Sequence, residues 1–564
     1  MEKKGIIYLL IALVSVVYGQ DTASYNHAYD DVSIYSSANK IFLGNFGQAH
    51  VDVLSPFADN QTYTPTIFRS TSDSLIYTDM YVAIGQPTGG LAKIEHHQPL
   101  SKRVMLNLGY FRSSFNGFYN RQLANVADFT SSLSFSSKDE KYEGQLFTRF
   151  YSRNNQLNGG IVDSNFNRFY NANNLEIGYP IQLNNATLQD REQIVDYTHQ
   201  YHLKNDSFSS LSIKQTFNYF ANKYRYVDVE DEFYQNYFYD TTMTNDSMKT
   251  EFLTHNLVVE AGLNQTKIYG GISNSYADYK ANGAFIPSMI HSFLVGGNHT
   301  KNNFSVSLNG SYTFLGFLSG NYLFDVKTEY SHPKWLINSF KASALLQERT
   351  PDLWYYYYNS NHYQWDLGLT NETKQSLSVS VESTEKLKLK LGANVANTAN
   401  TVFFDSAFIP KQTGIQWYQV YLTKKFEFTR WLGLESMVAY QNVQSNEPIE
   451  LPNLYTNNRI YFQGRLLKKV LRFKVGIDVL YYSSYYGKGY NPSLDHFFVQ
   501  NERLVGGYPF IDGFAEGYIK HNIAFFVKVQ HANYGLLGTE YLAAPTYRQQ
   551  DRIIQLGVKW RLYN

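Results

Sequence analysis

The sequence predicts an all-β fold: a transmembrane, antiparallel, up-and-down β-barrel with an even number of strands, about 22 (roughly 16 to 22), short periplasmic turns and long extracellular loops. Three observations predict this class. Apolar and polar residues alternate along many short segments, the connections between these segments alternate in length, and the chain is rich in aromatic residues although its mean hydropathy is negative. A barrel accounts for all three, because lipid-facing side chains alternate with polar side chains that face the lumen.

The aromatic residues make up 17% of the chain, with 49 Tyr and 39 Phe but only 6 Trp. Tyrosine and phenylalanine are typical of the girdles that barrels place at the two membrane interfaces. A helical membrane protein would need apolar runs of about 20 residues, and the sequence has none after residue 20. The composition therefore favours a barrel over a helical bundle, and it leaves a secreted β-sandwich open.

The charge balance and the absence of cysteine exclude several classes of function. Lys and Arg number 49 against 48 Asp and Glu, so the chain lacks the basic excess that binds nucleic acid. With no cysteine, it has no disulfides, no thiolate metal site and no lipid-modified N-terminal cysteine.

Residues 1–20 have the layout of a cleaved secretory signal peptide. Lys3 and Lys4 form a basic start, Gly5 to Val17 is apolar, and Val17-Tyr18-Gly19 provides small residues near a cleavage point. The apolar stretch is too short for a comfortable membrane-spanning helix, which needs about 20 residues. A single N-terminal anchor helix is the alternative interpretation.

The rest of the chain divides into two parts. Residues 75–564 are predicted to form the barrel, and residues 21–74 form an N-terminal segment that lies in the periplasm or inserts into the lumen. This segment is shorter than the plug of about 120 residues that a TonB-dependent transporter would require. We therefore expect a barrel that is not energised by TonB.

The predicted strands are read from strict two-residue alternation. From Phe304 to Phe314, for example, apolar residues and glycine occupy the even positions while serine, asparagine and threonine occupy the odd ones. The pattern recurs near residues 75–85, 90–98, 103–114, 123–137, 141–154, 191–205, 209–228, 247–264, 265–281, 287–301, 302–316, 317–330, 335–350, 361–383, 386–404, 414–429, 431–445, 457–468, 469–485, 511–519, 520–533 and 552–562.

The connections between these segments distinguish a membrane barrel from a soluble sandwich. Those after even-numbered strands are all tight, and the long ones follow odd-numbered strands, near residues 155–190, 229–247, 444–454, 486–508 and 534–551. A short odd connection near Gly316 is an exception. Transmembrane barrels have short turns on one side and long loops on the other. An even strand number places both chain ends on the short-turn side, facing the periplasm.

The C-terminal residues resemble the barrel-assembly signal of outer-membrane proteins. Gln555, Gly557, Trp560 and Leu562 fill its four places: a polar residue, a glycine two positions on, and two spaced hydrophobic residues near the end. The sequence departs from the signal in having leucine where an aromatic residue is usual and two residues after it. The resemblance implies recognition by the barrel-assembly machinery during insertion.

Longer stretches resemble the putative porin family of Bacteroidetes-type bacteria. They are Ile41 to Gln48 (IFLGNFGQ), Leu106 to Tyr119 (LNLGYFRSSFNGFY), Asn361 to Asp366 (NHYQWD), Tyr508 to Phe514 (YPFIDGF) and the closing QLGVKWRLYN. The resemblance covers the chain from about residue 40 to its end. It implies a multi-pass barrel of porin type in the outer membrane of a Gram-negative cell, and it carries over no functional residues.

No motif points to catalysis, a cofactor or a metal. The pair His199 and His202 would face opposite sides of an alternating strand, which is the wrong geometry for a shared ion. The acidic run Asp228 to Asp231 lacks the ligand order and the turn glycine of a calcium loop. We expect no enzymatic activity, no cofactor and no metal site.

Basic residues on the polar phase of the strands are predicted to face the lumen. They are Lys214, Lys388, Lys390, Arg472, Lys474, Lys528, Lys559 and Arg561. Rings of charge in a pore set ion preference, so one interpretation is a mild preference for anions. The other, which we favour, is a network of salt bridges with acidic residues such as Glu382 and Asp478, because enclosed charges tend to pair.

The predicted function is passive diffusion of small polar solutes through a porin-like channel, partly obstructed by residues 21–74 or by an inward-folded loop. The alternative is a non-conducting barrel that serves as a scaffold or accessory part of an export or surface-assembly complex. A transporter of hydrophobic molecules is disfavoured by the polar strand phases. The expected partners are outer-membrane lipid and proteins that bind the aromatic outer loops, such as Tyr224 to Asp240; nucleic acid is not expected.

Overall fold

The computed structural model describes residues 76–563 except 87–88, 163–168, 171–175, 179, 207, 230–232, 282–283, 521 and 538–540. The predicted signal peptide and the segment 21–74 lie outside the described residues. Twenty-two long strands dominate the fold. They are β1 Tyr77–Gln86, β2 Gly89–Ser101, β3 Val104–Phe115, β4 Ala124–Ser136, β5 Tyr142–Gln156, β6 Thr187–Asn205, β7 Ser209–Val229, β8 Met243–Leu263, β9 Thr266–Ala281, β10 Ala284–Lys301, β11 Phe304–Leu315, β12 Tyr322–Ser331, β13 Ile337–Arg349, β14 Glu372–Ser383, β15 Leu389–Phe404, β16 Pro410–Glu427, β17 Leu432–Ser445, β18 Leu454–Leu466, β19 Leu471–Tyr482, β20 Phe510–Ile519, β21 Ile523–Gln530 and β22 Ile553–Tyr563.

The strands form one closed barrel. Each pairs antiparallel with its neighbours in sequence, and β1 pairs with β22 from Tyr77 opposite Tyr563 to Gln86 opposite Ile554. The main sheet has 24 strands, of which two, Gly489–Asn491 and His496–Phe498, belong to an extracellular loop. The closed sheet of 22 leaves no strand edge unpaired, which a hydrocarbon environment demands. The predicted fold class and strand number are confirmed.

Side chains alternate between the two surfaces of the wall as the sequence predicts. On β14, the lipid-facing Leu377 and Val379 are 49% and 45% exposed on the outside of the barrel, while Ser378 and Ser380 line a cavity inside it. The small hydroxyl side chains leave the interior open to water, and the apolar outer face matches the hydrocarbon of a bilayer.

A charge on the outer face of β14 is expected to destabilise the barrel. Val379→Arg would place a cation in hydrocarbon and lower the free energy of unfolding by about 2–4 kcal/mol, whereas Ser380→Arg, one position away but facing the lumen, should change it by far less. Equilibrium unfolding in urea with the protein inserted in lipid vesicles measures both. Equal destabilisation by the two variants would contradict the assignment of the faces.

The connections follow the predicted asymmetry. Turns after even-numbered strands have two to five residues, and all long connections follow odd-numbered strands. The four longest are 157–186, 350–371, 483–509 and 531–552. The connections after β1, β9 and β15 are also short. Long loops thus occur only after odd-numbered strands, but not after every one of them.

One predicted strand begins too early. The segment predicted near 361–383 contributes only Glu372–Ser383 to the barrel. Its first part belongs to the 350–371 loop, where Tyr357–Asn359 pairs with Gln364–Asp366 in a small separate hairpin. Aromatic residues of this hairpin have a strand-like composition, but the hairpin packs against other loops instead of facing lipid.

Aromatic side chains mark the periplasmic end of the outer surface. The Trp431 and Phe462 rings stack with centroids 5.6 Å apart, and Phe426 stacks on Phe428 at 6.0 Å. These residues lie in or beside the short turn between β16 and β17, where the wall meets the polar interface. They form part of the girdle that the composition predicts.

Candidate pore and its extracellular closure

The lumen wall carries charged side chains that are paired across neighbouring strands. On β5, the Arg149 guanidinium donates to the Asp128 carboxylate on β4 at 3.0 Å and to Glu192 on β6 at 2.7 Å. On the opposite arc, Arg459 donates to Asp478 at 2.7 Å. Pairing of this kind offsets the loss of hydration that an enclosed charge suffers.

Most of the predicted lumen-facing basic residues are also partnered. The ammonium of Lys390 lies 3.0 Å from Glu382, that of Lys474 lies 3.8 Å from Glu516, and Arg561 donates to Asp79 at 2.6 Å. Lys528 is 2.7 Å from Asp512 and 3.8 Å from Asp478, and the Arg472 guanidinium lies 4.6 Å above the Tyr518 ring. Lys559 shares the inward phase of Arg561, and Lys214 lines a cavity at the periplasmic end of the lumen.

Lys388 was predicted to lie on the polar phase of a strand, and this prediction is wrong. It occupies the turn before β15 with φ of +49°, and its ammonium lies 2.6 Å from Glu427. The strand begins one residue later than the alternation suggests, because the backbone at Lys388 adopts the left-handed conformation that closes the turn.

The four residues of the C-terminal assembly signal divide between the two faces of β22. Gln555 and Gly557 share the inward face, and Trp560 and Leu562 share the outward phase of Leu556 and Val558. An apolar outward edge beside a small inward residue is compatible with docking on an assembly partner, and recognition by that machinery stays a prediction.

Arg153, the charged residue with the most consequential contacts, is not among the predicted lumen-facing residues. It lies on the inward phase of β5, four positions after Arg149, and its side chain is 1% exposed. Its guanidinium lies 3.5 Å from Asp190 on β6 and 2.5 Å from Asp495 in the 483–509 loop. The shared phase with Arg149 was visible in the sequence; the loop partner, hundreds of residues away, was not.

Asp495 belongs to a hairpin that crosses the extracellular mouth. We call Gly489–Phe498 the closing hairpin; its strands are Gly489–Asn491 and His496–Phe498. The Asn491 side chain accepts the backbone N–H groups of Ser493 and Leu494, which shapes the turn, and Asp495 completes it with φ of +54°. Aspartate and asparagine tolerate this geometry better than most residues.

The closing hairpin contacts two distant arcs of the barrel. On one side Asp495 meets Arg153 of β5, and the Tyr224 hydroxyl of β7 donates to the Ser493 carbonyl at 2.6 Å. On the other side Phe498 pairs with Phe404 at the end of β15. Since β5 and β15 are ten strands apart in a cylinder of 22, the hairpin spans the mouth almost from wall to wall.

The 350–371 loop is fastened to the 230–242 loop by buried hydrogen bonds. Asn361, 2% exposed, donates from its side chain to the Asp240 carbonyl at 2.7 Å and to the Thr244 hydroxyl at 2.8 Å. His362 bonds with Thr244 through Nε2 and with the Asn236 carbonyl through Nδ1. Without these bonds, the polar atoms of Asn361 and His362 would be buried among aromatic side chains without hydrogen-bond partners, which is energetically costly.

The 531–552 loop closes a third part of the mouth. His531 lies between the Tyr508 hydroxyl at 2.9 Å and the Gln550 carbonyl at 2.8 Å. The Gln549 side chain donates to the Tyr482 hydroxyl at 3.0 Å, and the Thr546 carbonyl accepts the backbone N–H of Ile161 at 2.9 Å. Together, the described parts of these loops form packed, hydrogen-bonded structure at the extracellular end.

Burial lowers the pKa of a histidine in each of the three loops. Desolvation lowers the pKa of His496 to about 4, and it lowers that of His362 and His531 below their usual value. The three imidazoles are therefore neutral at pH 7 when the loops are docked.

Below the loops, the described residues line three cavities. A cavity of about 590 Å³ lies against β9 to β16 and is lined by hydroxyl groups such as Ser307 and Ser343 and by the ammonium groups of Lys267, Lys327 and Lys341. Another of about 470 Å³ lies at the periplasmic end of β2 to β7. A third, of about 360 Å³, lies directly under the closing hairpin between Arg153 and Trp354.

The described residues contain neither a membrane-spanning helix nor a cluster of metal-binding side chains. No helix among them is both long and apolar enough to cross a bilayer. The described residues hold no group of three or more His, Asp or Glu side chains that could bind a metal ion. His199 and His202 lie on opposite faces of β6, as the alternation predicts.

Comparison with known proteins places the fold. A family described as putative porin matches residues 16–564, and no curated protein matches the chain by sequence. Among solved structures, the chain resembles the FrpB iron transporter from Neisseria meningitidis, F3-3 variant, with a TM-score of 0.60, 11% identity and coverage of 87% of this chain and 82% of that one. It also resembles a mutant of the ferric enterobactin receptor PfeA from Pseudomonas aeruginosa, with a TM-score of 0.59, 12% identity and coverage of 87% and 81%. At such identities the likeness concerns the barrel alone.

Proposed function

The chain belongs to the putative porin family, and we propose that it is a channel through which small polar solutes cross the outer membrane by passive diffusion. It is a multi-pass β-barrel of that membrane. The observation that carries the proposal is the lumen itself: a hydroxyl-rich wall with paired charges encloses water-accessible cavities of about 590 and 470 Å³. A polar wall of this kind suits hydrated solutes and not hydrophobic ones.

The extracellular loops give the channel a closed state. Conduction then requires movement of the closing hairpin, whose contacts with β5, β7 and β15 lie across the mouth. Loops are the least stable parts of a barrel and the parts that move. The charges of the wall are balanced in pairs, so we expect little discrimination between small anions and cations.

The test is conduction by the purified protein. We expect infrequent openings of the native protein in a planar bilayer, a zero-current potential near zero in a salt gradient, and swelling of vesicles in small uncharged sugars. A variant in which a short Gly-Ser linker replaces residues 489–498 should conduct steadily and admit larger sugars. Protein-free vesicles and the heat-modifiable migration of the folded barrel serve as controls.

One observation favours a second function, a non-conducting scaffold in an export or surface-assembly complex. Leu536 and Leu537 are 76% and 56% exposed in the 531–552 loop, and adjacent exposed apolar residues suit a protein partner. Absence of current from both the native protein and the variant without the closing hairpin, together with stoichiometric partners in a mild-detergent pull-down, would replace the channel by the scaffold. We assign the chain no enzymatic activity under either function.

A further inference from the structure

Four basic residues form a row on the outer surface of the barrel. Arg191 on β6 lies directly opposite Lys223 on β7, Lys223 lies opposite Lys249 on β8, and Lys249 lies opposite Lys280 on β9. Directly opposed residues of neighbouring strands have Cβ atoms about 5 Å apart, and like charges at that spacing are destabilising. A row of four therefore calls for an anion that compensates it.

The row faces outward and not into the lumen. Lys223 shares the phase of Phe217, and Lys249 shares the phase of Leu253 and Val259, which are exposed on the lipid side of the wall. The inward phase of the same strands is occupied by residues such as Tyr224, which contacts the closing hairpin. The row is thus separate from the proposed pore.

Carboxylates neutralise only part of this surface. Lys249 pairs with Glu251 at 2.7 Å and Lys280 with Asp278 at 2.8 Å, both along their own strands. Among the described residues, Arg191 and Lys223 have no ion-pair partner. Arg225, one pair further out, adds a fifth cation and is bonded to the neutral Asn245 at 2.9 Å. Among the residues of this surface that the structure describes, five cations thus face two carboxylates, which leaves a net positive charge.

The height of the row matches the headgroup layer of the membrane. It lies four residues beyond Leu253 and Tyr276, large apolar side chains exposed on the outward phases of β8 and β9. Further out on the same phase of β8, Met243 is a single apolar residue beside the polar Asn245 and Ser247. At about 3.3 Å per residue and a strand tilt near 40°, this puts the row roughly 10 Å above the hydrocarbon boundary. Tyr219, whose hydroxyl donates to Glu251 at 2.8 Å, lies at the interface between them.

We propose that Arg191, Lys223, Lys249 and Lys280 form a binding site for the phosphate groups of an acidic lipid in the outer leaflet. The apolar residues below the row hold the acyl chains, and the row holds the phosphates; guanidinium and ammonium groups are the usual partners of phosphate. A phosphorylated headgroup would relieve the repulsion along the row, and the bound lipid would orient this side of the barrel.

The test uses the folded full-length protein in a neutral detergent with bisphosphorylated lipid A as the probe. Native mass spectrometry and titration should show retained lipid on the native protein, and binding should weaken with salt. The variant R191Q/K223Q/K249Q should bind on the order of 100-fold more weakly, since each cation near an anionic surface contributes roughly a fivefold factor. The matched control K138Q/K141Q/K334Q, with three charges removed from periplasmic turns, should bind like the native protein.

Two further arms distinguish the sources of phosphate. Dephosphorylated lipid A should bind weakly to all variants, and inorganic phosphate should compete only at far higher concentration than the lipid. Equal binding of the native protein and R191Q/K223Q/K249Q, or tight binding of inorganic phosphate alone, would overturn the proposal. Because conductance does not depend on the row, R191Q/K223Q/K249Q should conduct like the native protein, so a failure here leaves the channel proposal standing.

Discussion

Arg153→Met is expected to open the channel. The substitution removes the cation between Asp190 and Asp495 and leaves two enclosed carboxylates without compensation, a change that typically costs about 3–5 kcal/mol. The barrel wall retains its hydrogen bonds between strands, so most of this loss of free energy destabilises the docked position of the closing hairpin. The open probability in planar bilayers should rise by roughly 150- to 5,000-fold, the range that corresponds to this energy at about 1.4 kcal/mol per tenfold change, or to saturation.

Arg149→Met is the matched control for this effect. Arg149 occupies the same face of β5, four residues nearer the periplasm, and pairs with wall residues Asp128 and Glu192 instead of the hairpin. It should reduce the stability of the barrel without opening the mouth. Asp495→Asn should open the channel like Arg153→Met, and the double variant should add little to either single one. Equal opening by Arg149→Met, or fully additive effects, would contradict the role of the Arg153–Asp495 pair.

Acidification is expected to open the channel as well. The docked loops hold His496, His362 and His531 neutral, because burial lowers the pKa of each below the value near 6.5 of an exposed imidazole. The docked state therefore binds fewer protons, and its stability is lost as the pH falls below about 6.5, until His496 is itself protonated near its pKa of about 4. At pH 5, His496 alone should shift the equilibrium about 30-fold toward the undocked state relative to pH 8.

Neighbouring charges modulate this response. Arg153 disfavours protonation of His496, and Arg548 opposes Asp512 and Asp551 around His531. Conductance measured from pH 8 to pH 4.5 checks the prediction, with His496→Phe as the variant that keeps an aromatic ring beside Trp354 but cannot titrate. Its pH dependence should be shallower than that of the native protein. A conductance independent of pH, or an unchanged slope in His496→Phe, would sink the prediction.

The strands could be predicted from the sequence because each strand has one face in contact with lipid and the other in contact with water. Lipid outside and water inside require opposite polarity at successive positions, so Leu377 and Val379 against Ser378 and Ser380 suffice to assign β14 and its faces. The alternation of short turns and long loops predicted which end of the barrel faces the periplasm and which faces the outside. The number of strands, which is confirmed, and the approximate positions of most strands follow from this periodicity.

The contacts among the loops at the mouth could not be predicted in the same way. Its contacts join Arg153 to Asp495 and Asn361 to Thr244, pairs far apart in sequence that have no shared period. Aromatic residues such as Trp365 are equally compatible with a girdle, a partner site or a packed loop; here the Trp365 indole N–H donates to the Trp354 carbonyl at 3.0 Å inside a loop cluster. The NHYQWD segment lies in the 350–371 loop, and the structure shows that Asn361 and His362 fasten it to Thr244.

The seam between β1 and β22 has a consequence for biogenesis. Strands that meet there are separated by nearly the whole polypeptide, from Tyr77 to Tyr563, so their encounter carries the largest loop-closure entropy of any pairing in the molecule. All other strand pairs of the barrel join neighbours in sequence and can form locally, so we expect β1 and β22 to pair last. A nascent barrel consequently exposes two unpaired strand edges until its last strand has formed. A polypeptide truncated before Ile553 would remain an open sheet that is prone to aggregate.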